Sequence, residues 1–175
     1  MTRLTRVTCF ALLVAGSALA QSKSPVTDVV REILPRQQKN IVAAVEAMPA
    51  DKFNFKPTAD QMTFGHLVAH IVESNNFFCA KATDAAPSKA PDAKETDSKD
   101  KLLASLKTSF DYCANALAKV DDSKLGDEIE AFGGRKAPRA WAYIALTNSW
   151  ADHYGAAAMY LRLNGMLPPT AQPKK

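Results

Sequence analysis

The side chains best suited to chemistry in this sequence are its three histidines, His66, His70 and His153. His66 and His70 are spaced i, i+4, so on a helix both project from one face. Glu73, at i+7 from His66, extends the same stripe. Imidazole and carboxylate donors in that pattern can hold a divalent cation such as zinc, provided a facing element supplies a further ligand. A catalytic centre of this kind keeps one position open for water. H-x-x-x-H alone is a weak signature, and three unrelated histidines, hydrogen-bonded or exposed, are the simpler reading of the spacing by itself. Asp152 precedes His153 in sequence but points about 100° away from it on a helix, so the two need not share a site.

Other chemistries lack their residues. There is no C-x-x-C-H haem attachment, no pair of E-x-x-H motifs for a di-iron centre, and no nucleophile elbow, P-loop or dinucleotide fingerprint. The basic run Gly134-Arg135-Lys136-Ala137-Pro138-Arg139 could hold an anion near the start of a helix, although a solvated turn is the plainer reading. Trp141, Tyr143, Trp150, Tyr154 and Tyr160 read as core and groove packing rather than a cofactor box.

Four helical segments must position these groups. The first begins at Ser24-Pro25, a capping residue followed by proline at the first helical position, and stops before Pro49; Pro35 should kink it or mark a later start. The linker from Pro49 to Met62, with Phe53, Phe55 and Pro57, should be extended and packed. A second helix starts at Thr63 and runs through His66, His70, Phe77 and Phe78 to about Ala82, apolar nearly all round and therefore buried. Residues 83–97 lack periodicity and read as a solvated crossover loop. The third helix opens near Ser98, with Leu102, Leu106, Phe110, Cys113 and Leu117 at helical spacing. Glycines punctuate 120–137, where Glu128 to Phe132 suggests a short extended piece. The fourth helix opens at Pro138 and reaches Asn164, with Gly165 as its C′ residue and a frayed tail to Lys175. Without repeats, a strand set or βαβ alternation, the fold class is all-α, a bundle of four helices.

The chain has 175 residues, 47% apolar and 23% charged, which suits one globular domain and excludes disorder throughout. Arg3 and Arg6, the apolar run Val7 to Ala15 and Ala18-Leu19-Ala20 before Gln21 read as a secretory signal peptide over residues 1–20. Residues 21–175 then form the single mature domain, with no further stretch able to span a bilayer. Removing Arg3 and Arg6 leaves 20 basic against 18 acidic groups, too even a balance for nucleic-acid binding. Cys9 is lost with the leader, and Cys79 and Cys113 remain as an even pair in an exported chain, which favours a disulfide over a nucleophile. The expected location is periplasmic or secreted.

Two segments together resemble the DinB-like metalloprotein family. One is Thr63-Phe64-Gly65-His66-Leu67-Val68-Ala69-His70-Ile71, preceded by the Phe-Asn-Phe-Lys-Pro linker. The other is Asp152-His153-Tyr154-Gly155 followed by Tyr160-Leu161-Arg162-Leu163-Asn164-Gly165. The resemblance spans about Val26 to Pro169. It implies an up-down-down-up bundle holding a divalent metal on three histidines, one from helix two, matching His70, and two from an H-x-x-x-H pair on helix four. Here that pair reads Ser149-x-x-x-His153. Serine is a poor ligand for a borderline cation such as zinc or nickel, so the implied site is decayed or atypical. Members with assigned activity include thiol-cofactor-dependent transferases and isomerases.

The expectation is therefore an exported bundle acting as a periplasmic binding or structural module for an unassigned small molecule. The alternative is a divalent-metal-dependent enzyme of transferase or hydrolase type using His70 and His153, with His66, the weaker candidate, or Glu73 replacing the lost ligand. A homodimer is left open. Two geometric expectations follow. With helices two and four antiparallel, His70 and His153 fall within roughly 7 Å of the same level. Cys79 and Cys113 each lie 15 residues from the start of their helix, so their levels match only if helices two and three run parallel. An antiparallel hairpin would separate them by roughly 18 Å along the axis. The 15-residue loop reaches about 50 Å, enough to return along a helix of about 30 Å.

Overall fold

The computed structural model describes residues 23–90 and 92–173; the expected signal peptide, with Cys9, lies outside the described residues. Four helices, α1 (Pro25–Ala47), α2 (Phe64–Thr83), α3 (Lys99–Leu117) and α4 (Ala140–Leu163), build the bundle, and a short hairpin of β1 (Glu128–Glu130) and β2 (Lys136–Pro138) precedes α4. Local chemistry sets several ends. The Thr63 hydroxyl accepts the His66 N–H at 2.9 Å to cap α2, and the Ser98 hydroxyl accepts the Lys101 N–H at 3.3 Å to cap α3. Beyond α4, Gly165 takes φ 74°, its N–H bonds the Arg162 carbonyl and the Met166 N–H the Leu161 carbonyl. That pairing is a Schellman closure, and the left-handed residue within it favours glycine.

Three sets of contacts fix the direction of the helices. Asn75 meets Ser109 and Cys79 meets Cys113, so α2 and α3 run parallel. His70 meets His153, Asn75 meets Trp150 and Phe78 meets Trp141, so α2 and α4 are antiparallel. Arg31 reaches the Leu117 carbonyl while Lys107 pairs with Glu46, so α1 and α3 are antiparallel as well. The order is up-down-down-up. The cysteines form the disulfide, with Cα atoms 5.3 Å apart. Trp150, Tyr143, Phe64 and Phe110 are the largest fully buried side chains and fill the centre.

Four local expectations need correction. First, α1 runs unbroken through Pro35 from Pro25, so there is no late start. Its N-terminus is held from a distance rather than by its own serine: the Asp122 carboxylate accepts the Val26 N–H at 2.8 Å, the Thr27 N–H at 2.9 Å and the Thr27 hydroxyl at 2.6 Å. The Ser24 hydroxyl instead accepts the Asp122 N–H at 3.4 Å. Second, Pro138 ends β2 opposite Glu128, and α4 opens two residues later. Proline can close an edge strand because it is not asked to donate there. Third, the tail is docked as far as its last turn: the Tyr154 hydroxyl bonds Thr170 Oγ1 at 2.8 Å and accepts the Thr170 N–H at 3.0 Å. Fourth, the 83–97 crossover is not merely solvated, because Tyr112 donates to the Ala86 carbonyl at 2.9 Å and Ala93 packs against the core.

The Asp122 cap has a measurable pH signature. Burial pushes its carboxyl up, but hydrogen bonds from Thr27 and the Val26 and Thr27 amides outweigh that and hold it below its ordinary 3.8. A depressed folded value contributes stability above the unfolded value and loses it as pH falls through the folded one. Asp122→Ala should therefore cost about 1–2 kcal/mol at neutral pH. In urea titrations the gap from wild type should close below pH 3.8. A gap that stays constant into acid would show that the carboxylate is not the cap.

Candidate metal and ligand site

The outer face of α2 carries His66, His70, Glu73 and Phe77 in one stripe, as the helical spacing requires. Its upper turn is covered by the crossover loop. Gly65 makes that possible: a Cβ built there would lie 2.8 Å from the Glu95 carbonyl oxygen. The linker also bonds the same turn, since Phe64 and Gly65 donate to the Phe55 and Phe53 carbonyls at 3.1 and 2.8 Å. With the loop this close, Glu95 Oε2 stands 2.9 Å from His66 Nδ1. His66 thus belongs to the loop contact.

His70, one turn further along the same stripe, meets α4 instead of the loop. Its ring and that of His153 on α4 meet edge to face with centroids 5.0 Å apart. Glu73 Oε2 lies 3.8 Å from His70 Nδ1, and Ser149 Oγ lies 3.1 Å from His153 Nδ1. Ser149 thus orients the His153 ring through Nδ1, whereas Glu73 stands beyond hydrogen-bond reach of His70, and among the described residues neither Nε2 has a hydrogen-bond partner. Burial lowers the His153 pKa and the neighbouring His70 lowers it further, against opposing pulls from Asp152 and Ser149. The neutral imidazole favoured in this way is the form that ligates metals.

Two imidazoles on one ion, at about 2.1 Å per nitrogen, hold their ring centres roughly 5 Å apart, and the observed pair meets that spacing. The rest of a metal set does not assemble. Among the described residues no three His, Cys, Asp or Glu side chains converge as a metal group. Glu73 is 82% exposed and sits on the Nδ1 side of His70, the place of a group that orients a ligand rather than of a ligand. Ser149 occupies the helix-four position where the resemblance implies a histidine, and it spends its hydroxyl on His153.

Beside the pair, a groove of about 700 Å³ runs along α2 beneath the crossover loop. His66, His70 and Glu73 line one end, Phe77, Ala80 and Lys81 the other, with Pro87, Ala90 and Ala93 above. Asn76 also borders it, and its buried Oδ1 has no hydrogen-bond partner. The volume falls within the range of small-molecule sites, and the lining mixes small apolar side chains and Phe77 with polar and charged ones, among them Asp92 and Glu95 of the loop. Sequence reading missed Glu95, Asn76 and the loop residues. The available signal was Gly65, a glycine in the first turn of a buried helix where no turn requires it.

The family model of the DinB superfamily matches residues 33–157. The chain belongs to the DinB superfamily. Two solved DinB-like proteins share its fold. One, from Bacillus subtilis, is 22% identical with TM-score 0.66, covering 83% of this chain and 99% of its own. Another, from Bacillus cereus, is 16% identical with TM-score 0.67, covering 81% and 95%. The mycothiol-dependent maleylpyruvate isomerase is 15% identical with TM-score 0.60 over 74% of this chain, which spans 59% of that longer protein. No curated protein matches the sequence. Within the DinB superfamily chain, the bundle supplies the His70–His153 pair from α2 and α4, and the α2–α3 crossover supplies the roof of the groove.

Proposed function

We propose that this DinB superfamily member is an exported small-molecule-binding module whose ligand occupies the groove along α2, beside an incomplete histidine centre. The observation that carries the reading is the pairing of a roofed, largely apolar groove with only two histidines in register, the third position being taken by Ser149. In this reading His70 and the α2 stripe form the polar end of the binding surface, and Phe77 and Ala80 its apolar floor.

A second reading is favoured by the His70–His153 geometry itself: a divalent-metal-dependent enzyme of transferase or hydrolase type. A bound zinc or nickel ion would supply Lewis acidity. The chain's own part would be to offer Nε2 of both rings, that of His153 held through Ser149. The similarity to an isomerase that uses mycothiol supports the fold for such a role, not its substrate.

Metal analysis of the mature protein, purified without chelators or an affinity tag, separates the two. The binding-module reading expects well under one transition metal per chain, also after dialysis against zinc or nickel. Stoichiometric metal that disappears in His153→Ala would transfer the conclusion to the enzyme. The groove is tested with the neutral apolar dye N-phenyl-1-naphthylamine: Ala80→Trp should abolish saturable fluorescence enhancement, and an unchanged titration would place the ligand elsewhere.

A further inference from the structure

The outer faces of the helices are not alike. α3 turns Asp100, Lys101, Lys107 and Asp111 to solvent, the charged surface that an exposed helix normally shows. α4 does not. In 24 residues it carries one carboxylate, Asp152, and one permanent cation, Arg162. Its exposed row steps by three and four residues through Ile144, Asn148, Ala151, Gly155, Met159 and Arg162. Ile144, Met159 and Leu163, which flanks the row, are each more than half exposed, as is Leu167 just beyond the helix. A helix that is apolar nearly all round belongs in an interior, and the bundle covers only one side of this one.

Gly155 sharpens the contrast. Glycine within a helix is destabilising relative to alanine, and the protomer has no use for it: a Cβ there would meet nothing outside its own helix backbone within 4 Å. A bare backbone in the middle of an apolar row lets another helix approach closely. The two charges of the face are also unanswered. Among the described residues neither Asp152 nor Arg162 makes an ion pair, and Arg162 bonds only the Ala158 carbonyl of its own helix.

We propose that this face pairs with α4 of a second copy of the chain, the two helices antiparallel about a two-fold axis level with residue 157. That position lies five residues from both Asp152 and Arg162, two from both Gly155 and Met159, and six from both Ala151 and Leu163. The axis therefore brings each carboxylate level with the guanidinium of the other copy, each methionine level with the bare glycine, and each Ala151 level with Leu163. Opposite charges meet and large meets small, each pairing made twice, as an isologous contact requires. A parallel pair would instead set Asp152 on Asp152 and Arg162 on Arg162, a like-charge arrangement that opposes association. One helix pair is a contact at the low end of specific interfaces, so the dimer dissociates in the micromolar range.

Sedimentation velocity on protein produced without residues 1–20, from about 1 to about 200 μM, reads the association. The expected result is a monomer at the dilute end that becomes a dimer at the concentrated end. Gly155→Gln should raise the melting temperature of the dilute monomer, because glutamine is the better helix former. The same side chain fills the space of the second helix and should weaken dimerisation by roughly tenfold or more. Asp152→Arg and Arg162→Asp should each weaken it by about threefold or more, and the double swap Asp152→Arg/Arg162→Asp should restore it. A chain that stays monomeric throughout, and so keeps this face for a different partner, overturns the proposal. So does a dimer indifferent to Gly155→Gln, or a double swap no better than its single changes. Should Gly155→Gln fail to fold, the charge variants still decide it.

Discussion

Breaking the Cys79–Cys113 bond should lower stability by about 3.7 kcal/mol, because the crosslink closes a 34-residue loop and restricts the unfolded chain accordingly. For a domain of this size that corresponds to a fall in melting temperature of roughly 10 °C. The double substitution Cys79→Ala/Cys113→Ala measures it, and reductant should then have no further effect on that variant. Both cysteines are fully buried, so wild type should resist dithiothreitol in the native state and lose the bond only on unfolding. Thiol titration of unfolded, unreduced protein produced without residues 1–20 should find no reactive thiol, and two after reduction. Equal melting temperatures for oxidised and reduced wild type would rule out a structural role for the crosslink.

The other large effect is expected at Asn75, which is fully buried at the centre of the bundle. Its Nδ2 donates to Ser109 Oγ on α3 at 3.0 Å and its Oδ1 accepts the Trp150 indole N–H on α4 at 2.7 Å. One amide thus ties three helices, and its removal orphans a buried indole N–H. Ser109 suffers less, since its hydroxyl still donates to the Leu106 carbonyl. Asn75→Ala should cost about 2–4 kcal/mol, the sum of a lost hydrogen bond, an unsatisfied donor and a small void. Trp150→Phe removes the other partner. In a double-mutant cycle the two losses should overlap by about 1 kcal/mol or more. Strict additivity would mean that the hydrogen bond does not couple α2 to α4.

Much of this architecture was readable from the residues. Thr63, Ser98 and Gly165 mark helix ends through bonds that span only a few positions, and the structure places them in those roles. The apolar spacing in each segment gives a helix with an inward face. The equal depth of Cys79 and Cys113, together with the length of the crossover, is enough to require the parallel α2–α3 step, because axial rise per residue leaves no other way to bring the sulfurs together. The facing of His70 and His153 needed more: the antiparallel course of helices two and four came from the family resemblance, and the levels then matched only to roughly 7 Å, which the structure brings to ring contact.

Tertiary structure alone decided the rest. Asp122 caps a helix that begins almost a hundred residues earlier, and Ser24, the local candidate, became the acceptor of Asp122's own amide. Pro138 resembles a helix start, yet hairpin pairing with Glu128 claimed it. Glu95 sits in a segment without periodicity, but the bare backbone at Gly65 draws the loop down and delivers its carboxylate to His66, leaving His70 for α4. Arg139 is one of several basic residues in its run, and only the meeting of three helix ends buries it. Caps, periodicity and axial level depend on interactions within about four residues or on distances along one axis, and those a sequence encodes directly. Convergence of side chains from separate elements depends on how each helix is rotated about its axis and where each loop is laid, which the packed core fixes only once the whole chain has folded.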